Sequence, residues 1–439
     1  MNEQIADAVI GLSYDGLSEA AQERLTLCLL ANLTVGVAGV SSCVLPRPVR
    51  RGGIYTLLSG ESADEARQAA FWNAAAMHAR TQDDFHPVGN LHIGTVVIPA
   101  LLAVAQEQAM TGSDFLDALA AGYMVATGMS RSASPKTTPR GVRSTGVYAP
   151  FGATAAVGRA RGLGREHLAS ALGLTTAFAA GTTQAWLDGS DEWQVHPALA
   201  AEAGLRATEL AAAGVRGGEH AIDGKAGLFR ALLLDPVGWE TLRDDFDPSA
   251  AIEESVIKRY PVSGICQSVV LAAERVSARL GDPDAVKCVL VEMNAFEITY
   301  PGTLNMGPAF RSFGDRLMSA AFCTAALLSR GALVFADFHG EACPARDRLL
   351  KVIEVRKDDR LKLLSSRITV EKVNGERIVE EVANSREQVR IDWSTIGEWG
   401  SALWEEAGRP AQAYEAFMTT IRGLPEAGNV SPADWLKAA

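Results

Sequence analysis

The sequence predicts a mainly helical α+β protein. A large all-helical domain spans residues 1–250 and is completed by residues 393–439, with a smaller α+β module, residues 251–392, inserted between. Three observations carry this. Apolar residues recur at three- and four-residue spacing from Ile5 to about Asp235, with no strand-period alternation of any length. Valine-rich and alternating segments first appear after Asp247. Helical spacing returns beyond Asp392, so the tail is expected to dock back on the helical domain.

Taken in order, residues 17–40 open on Ser18-Glu-Ala-Ala-Gln and end in the glycines of Val35-Gly-Val-Ala-Gly. Residues 64–79, 94–110 and 114–129 each keep the helical spacing. Residues 151–163, 165–180 and 197–213 are rich in alanine and glycine, so their helices are expected to approach closely. In the inserted module, residues 264–280 read as a helix, 286–298 as a strand and 314–329 as a helix. Residues 366–373 and 377–382 flank Asn374-Gly375, a strong hairpin signal. Helices over 393–406 and 410–422 close the chain.

Composition narrows the partners. Hydrophobic residues make up 48% and charged residues 21% of 439, which is globular material. A net charge of −11 without a basic stripe argues against nucleic acid and anionic membranes. The first residues carry no positive region, and no apolar run approaches the roughly twenty residues of a membrane helix. Cys28, Cys43, Cys266, Cys288, Cys323 and Cys343 form no CxxC pair and read as reduced thiols of a cytoplasmic protein.

Chemistry concentrates in residues 78–104, which hold His78, His86, His92, Asp83, Asp84, an arginine and the turn Pro87-Val-Gly-Asn. His92 stands at the start of the following helix, with Thr95 one turn along. Backbone N–H groups there favour a bound carboxylate or phosphate, and an imidazole there can move a proton near neutral pH. The same acids and Asn90 equally suit turns and caps. His86, His92 and His196 with Asp83 or Asp84 could meet a metal, but no histidine pair has i, i+4 spacing, and no metal is expected. The glycines from Gly158 and from Gly218 lack the context of nucleotide-binding loops and read as packing and turn glycines. Cys266 has no activating base nearby in sequence.

Ala31-Asn-Leu-Thr-Val-Gly-Val-Ala-Gly and His92-Ile-Gly-Thr-Val-Val-Ile-Pro stand in a fixed order with Thr111-Gly-Ser-Asp-Phe-Leu-Asp-Ala-Leu-Ala-Ala-Gly-Tyr. Phe151-Gly-Ala-Thr-Ala-Ala-Val-Gly, Ile222-Asp-Gly-Lys-Ala-Gly-Leu-Phe and Ile257-Lys-Arg-Tyr-Pro follow. Together they resemble the MmgE/PrpD family over nearly the whole chain. The resemblance implies a large helical domain, a smaller α+β lid, an active site between them and usually a homodimer. It implies proton removal or delivery at a carbon beside a carboxylate of a small substrate, generally without metal or organic cofactor. On that pattern His92, Lys258, Asp84 and Tyr300 are the expected catalytic residues, with Glu297 in place of Tyr300 if the register slips. His86, Asp83, Gln82, Arg143, Trp193 and Arg259 are the expected substrate-binding set.

Departures from the family pattern bear on the reaction. Thr81 and Gln82 replace the first two positions of an Asp-Phe-Asp-Asp run, and Arg143 stands where a histidine is usual. Met124 replaces a glutamate, Trp193 a lysine, and Ile265 a histidine. Arginine at 143 could hold a carboxylate in two-pronged fashion. The expected activity is a lyase, dehydratase or decarboxylase, acting on a small polycarboxylic acid. An isomerase or epimerase using the same carbanion, or a non-catalytic relative, are the alternatives.

Overall fold

The computed structural model describes residues 1–232, 235, 237–306 and 310–438. The chain forms two compact units, Met1–Thr182 with Gln194–Ile257 and Asp392–Ala439, and Thr183–Trp193 with Lys258–Ile391. The division thus falls at Ile257/Lys258 rather than at residue 250. Residues 251–257 stay with the first unit because Arg24 donates from Nε and Nη2 to the Ser255 carbonyl, at 3.0 and 2.8 Å. Phe85 and Val256 also exchange backbone hydrogen bonds. Residues 183–193, expected in the helical domain, belong to the second unit.

The first unit is built on helices α1 (Asn2–Gly11), α2 (Glu19–Gly39), α3 (Ala66–His78), α4 (Gly94–Glu107), α5 (Gly112–Ser130), α6 (Ser144–Ala160), α7 (Arg165–Thr175) and α8 (Glu192–Ala212). Ser18 caps α2 by accepting the Ala21 N–H at 3.0 Å, which satisfies one of the first turn's orphan donors. From Arg24 to Gly39 every residue of α2 is buried. This corrects one expectation: Glu19–Ser42 is, by length and composition, long and apolar enough to cross a membrane, with a mean hydropathy of 1.7. Its apolar window is 83% buried inside the protein, as suits the central helix of a core.

The close approach expected of the small-residue helices is present. A Cβ on Gly152 of α6 would lie 2.6 Å from the Gly122 carbonyl oxygen of α5, so only glycine lets these backbones meet. Among the described residues of this unit, strands are confined to the two-residue antiparallel pair Tyr55–Thr56 and Ser62–Ala63. The tail helices Ile396–Glu406 and Ala411–Arg422 join this unit through Trp404, Tyr414 and Phe417. The Tyr414 hydroxyl lies 3.2 Å from Thr34 Oγ1 of α2, and Arg80 pairs with Glu406 at 2.6 Å.

The second unit holds a four-stranded sheet of β1 (Val286–Met293), β2 (Ile353–Lys357), β3 (Ser366–Lys372) and β4 (Arg377–Val382), in the order β2-β1-β3-β4. β1 runs parallel to β2 and antiparallel to β3, and β3 pairs antiparallel with β4 across Asn374-Gly375. The strand expected over 286–298 ends at Met293. Asn294 Oδ1 accepts the Phe296 N–H at 2.9 Å and starts the turn of helix Ala295–Thr299. The helix expected over 314–329 breaks at Ser319, whose hydroxyl caps a new start by accepting the Phe322 N–H. β2 escaped the reading because its five residues are mostly charged. Trp186 and Trp193, rings 5.1 Å apart, join this unit's apolar core with Tyr300 and Phe322.

Candidate proton-transfer site

Helix α3 ends on His78, and the chain reverses at once. The Thr81 N–H returns to the His78 carbonyl at 2.8 Å, with Thr81 in the left-handed region at φ 50°. The turn drops Asp83 back beside His78. Asp84 is then followed by Phe85, paired with Val256, and by a tight loop that the His86 N–H closes on the Leu91 carbonyl at 2.9 Å. Asn90 takes φ 48° inside that loop, and the chain arrives at His92 just ahead of α4.

The result is a buried cluster of His78, Asp83 and His92, whose ligand-type atoms all lie within 4.8 Å of one another. His78 Nδ1 is 3.1 Å from each Asp83 oxygen, and His92 Nδ1 is 2.9 Å from Asp83 Oδ2. His92 Nδ1 is also 3.2 Å from the Asp84 carbonyl oxygen. Oxygens of both kinds only accept, so each Nδ1 carries its proton, and in the neutral ring the lone pair of His92 sits on Nε2. Arg143 Nη2 lies 3.2 Å from His78 Nε2 and donates to it, which fixes His78 as the neutral Nδ1–H tautomer. The chain of bonds runs Arg143 to His78 to Asp83, with His92 on the other side of the carboxylate. His78 and Asp83 are wholly buried, whereas the His92 side chain keeps 14% exposure.

Two imidazole nitrogens and a carboxylate are also donors a divalent transition metal accepts. Here both nitrogens face the carboxylate at hydrogen-bond distance, so an ion would have to displace two protons first.

Asp84, expected to be catalytic, is engaged by the protein's own donors. Its Oδ1 accepts the Gly94 N–H at 2.9 Å and its Oδ2 accepts the Tyr123 hydroxyl, while Asn32 Oδ1 takes the Asp84 N–H at 3.3 Å. The orphan donor at the start of α4, expected to meet a substrate anion, is thus met by the protein's own carboxylate. Glycine is required at that start, since a Cβ on Gly94 would lie 2.2 Å from Asn32 Nδ2 and 2.8 Å from Asp84 Oδ1. Burial pushes the Asp84 carboxyl up to about 6 against the pull of Tyr123. Thr95 turns away and donates to the Ala74 carbonyl.

The other expected binding residues divide between the two units. His86, wholly buried, accepts the Gly89 N–H on Nδ1 at 3.0 Å and places Nε2 3.2 Å from Glu254 Oε2. Arg131 reaches the same oxygen at 2.6 Å. Gln82 is buried in the same loop as Asp83. Trp193, expected to bind substrate, is buried in the core of the second unit, 1% exposed, packed against Trp186 and edge-on to Phe313. Tyr300 is buried in that core as well. Lys258 is fully buried and Arg259 exposed, the latter over the Tyr260 ring at 5.5 Å. Gln267 braces this stretch by accepting the Tyr260 N–H and donating to the Tyr260 and Val262 carbonyls. Glu297 is buried, and burial pushes its carboxyl up to about 8 although the Leu364 N–H lowers it.

Sequence reasoning gave no role to His78, Tyr123 or Asn32. All three lie inside stretches singled out above, but their partners are set by turns and helix crossings rather than by local spacing.

Comparison with known proteins agrees with this architecture. The chain is 26% identical over 341 residues to a cis-aconitate decarboxylase-like protein of Aspergillus oryzae, covering 72% of this chain and 70% of that one. It is 28% identical over 243 residues to the cis-aconitate decarboxylase of Mus musculus, covering 51% of this chain and 48% of that one. The profile of the MmgE/PrpD N-terminal domain matches residues 3–239, and the chain belongs to the MmgE/PrpD family.

Proposed function

We propose that this protein is a lyase, a dehydratase or decarboxylase, that moves a proton at a carbon beside a carboxylate of a small polycarboxylic acid, with His92 as the acid/base. The observation that carries it is Asp83 seated between His78 and His92, with the Arg143 guanidinium on the far side of His78. The names of the relatives support the substrate class at low identity.

A carbanion beside a carboxylate spreads its charge onto oxygen and needs cations and donors to meet it. Asp83 holds the His92 ring by Nδ1, directs the basic lone pair to Nε2, and stabilises the imidazolium that forms when Nε2 takes the proton. In a dehydration the β-hydroxyl leaves after that proton is taken, departing as water with the proton that His92 gained. In a decarboxylation carbon dioxide leaves first, and His92, protonated from solvent before the step, gives that proton to the resulting carbanion. His78, pinned by Arg143, keeps the carboxylate from rotating away. Lys258 is proposed to meet the substrate carboxylate as a fixed cation, with Tyr300 supporting it. Lys258→Met should then impair binding and turnover together, because its charge meets ground state and transition state alike. The working form is proposed to be a homodimer in the cytoplasm, the former testable by light scattering.

The first experiment is a thermal-shift screen against di- and tricarboxylic acids, followed by turnover in deuterium oxide. A stabilising acid that loses water or carbon dioxide supports the proposal. Deuterium uptake with neither loss would identify an isomerase or epimerase instead, and inertness toward the whole panel would leave no lyase.

A further inference from the structure

The second unit holds a cavity of about 460 Å³ lined by Phe310, Arg316, Phe322, Arg346, Asp347 and Lys351, among others. None of these takes part in the proton-transfer cluster or is proposed to assist it. The Arg316 guanidinium lies 5.9 Å over the Phe310 ring, and that of Arg346 5.1 Å over the Phe322 ring. The two rings meet edge-to-face at 5.2 Å, so the two cations are carried on adjoining aromatic supports. Arg346 is buried, 7% exposed, and donates to the Glu341 carbonyl and to Asp347 Oδ1. Arg316 is half-buried and donates to the Phe338 carbonyl at 3.2 Å.

The charge balance is unusual for this protein. Three cations, Arg316, Arg346 and Lys351, face the cavity with one acid, Asp347, a balance of +2 in a chain of net charge −11. Burial and the like charge of Arg346 both weigh against the charged form of Arg316. Two guanidinium groups line one cavity, and among the described residues only Arg346 is seen paired with its acid, Asp347, so an added anion is favoured there.

We propose that this cavity binds a small organic anion, a carboxylate or phosphate monoester joined to a flat apolar group, as a site separate from the reaction. The Arg316 guanidinium plane matches the two-oxygen geometry of either anion, Arg346, whose Nε and Nη2 hold Asp347, adds charge, and the phenylalanine faces accept a flat ring. The volume suits a ligand of that size and no larger cofactor.

The test is calorimetric titration of the full chain with phenyl phosphate, benzoate and inorganic phosphate. One saturable site is expected, with phenyl phosphate or benzoate binding about tenfold tighter than inorganic phosphate, since the apolar part adds to the ion pair. The tighter of the two aromatic anions identifies the head group. Arg316→Met should weaken binding by about tenfold or more, and Arg316→Lys by less, because the charge stays but the fork is lost. Arg143→Met, altered in the proton-transfer cluster, should leave this affinity unchanged, so failure here and failure of the proposed reaction are separable. Should Arg316→Met prove unfolded by circular dichroism, the exposed Lys351→Met replaces it, with a loss of about threefold expected. Absence of a saturable heat overturns the proposal. So does binding that survives the substitution in a folded variant, or that depends on Arg143 instead.

Discussion

Two histidine–carboxylate arrangements arise from the same loop of the first unit, and they differ in kind. Glu254 faces His86 and also the Arg131 guanidinium, which reach the same oxygen at 3.2 and 2.6 Å. The His86 bond and Arg131 hold the Glu254 carboxyl down to about 2, and both His86 nitrogens are engaged, one by the Gly89 N–H. Asp83 faces two imidazoles, and the Arg143 guanidinium reaches the far side of one of them, His78. The His92 side chain keeps 14% exposure where His86 has none. A carboxylate shared with a permanent cation makes a clamp. A carboxylate that accepts from two imidazoles orients both rings by Nδ1, which leaves the basic lone pair of His92 on Nε2.

That contrast is open to measurement. His92→Gln should lower kcat by about 10²–10⁴-fold with KM little changed, as loss of proton transfer does. Turnover within about twofold of the parent would remove His92 from the mechanism. Asp83→Asn comes next: the amide places an NH2 donor against His78 Nδ1 or His92 Nδ1 in place of one acceptor oxygen, and removes the charge that stabilises a His92 imidazolium. A fall of about 10²-fold or more with the fold intact is expected, and unchanged activity would refute the tautomer argument.

On the clamp side, Glu254→Gln should leave turnover within a few-fold and act on stability instead. Because the folded carboxyl is held near 2 against an unfolded value of about 4.3, its contribution is present above about pH 4.3 and is lost as pH falls toward 2. Melting temperature against pH should therefore be flatter for the variant in that acid window. A parallel curve would break the comparison.

A test of the opposite sign lies at Glu297, where burial raises the carboxyl. Its folded carboxyl is raised to about 8, so the folded state binds the extra proton and stability declines as pH rises from about 4.3 to 8. Glu297→Gln, neutral throughout, should flatten the melting curve over that range. A variant that tracks the parent between pH 5 and 8 would show that the carboxyl ionises freely.

The sequence alone was enough for the helical spacing of the first unit, the hairpin at Asn374-Gly375 and the family's ordered motifs, because these depend on residues close in the chain. It also placed His92 just ahead of a helix and brought Asp83 and Arg143 into the candidate set. Tertiary structure decided the rest. Whether Asp83 or Asp84 meets the imidazoles depends on a left-handed turn at Thr81 and on Tyr123, a residue of another helix, taking Asp84 away. Whether Trp193 lines a site or fills a core depends on Trp186 and Phe313. Where the units divide depends on Arg24 reaching Ser255 from far along the chain. Pairings between distant residues follow from which helices cross and which cavities close, and local spacing carries no record of either.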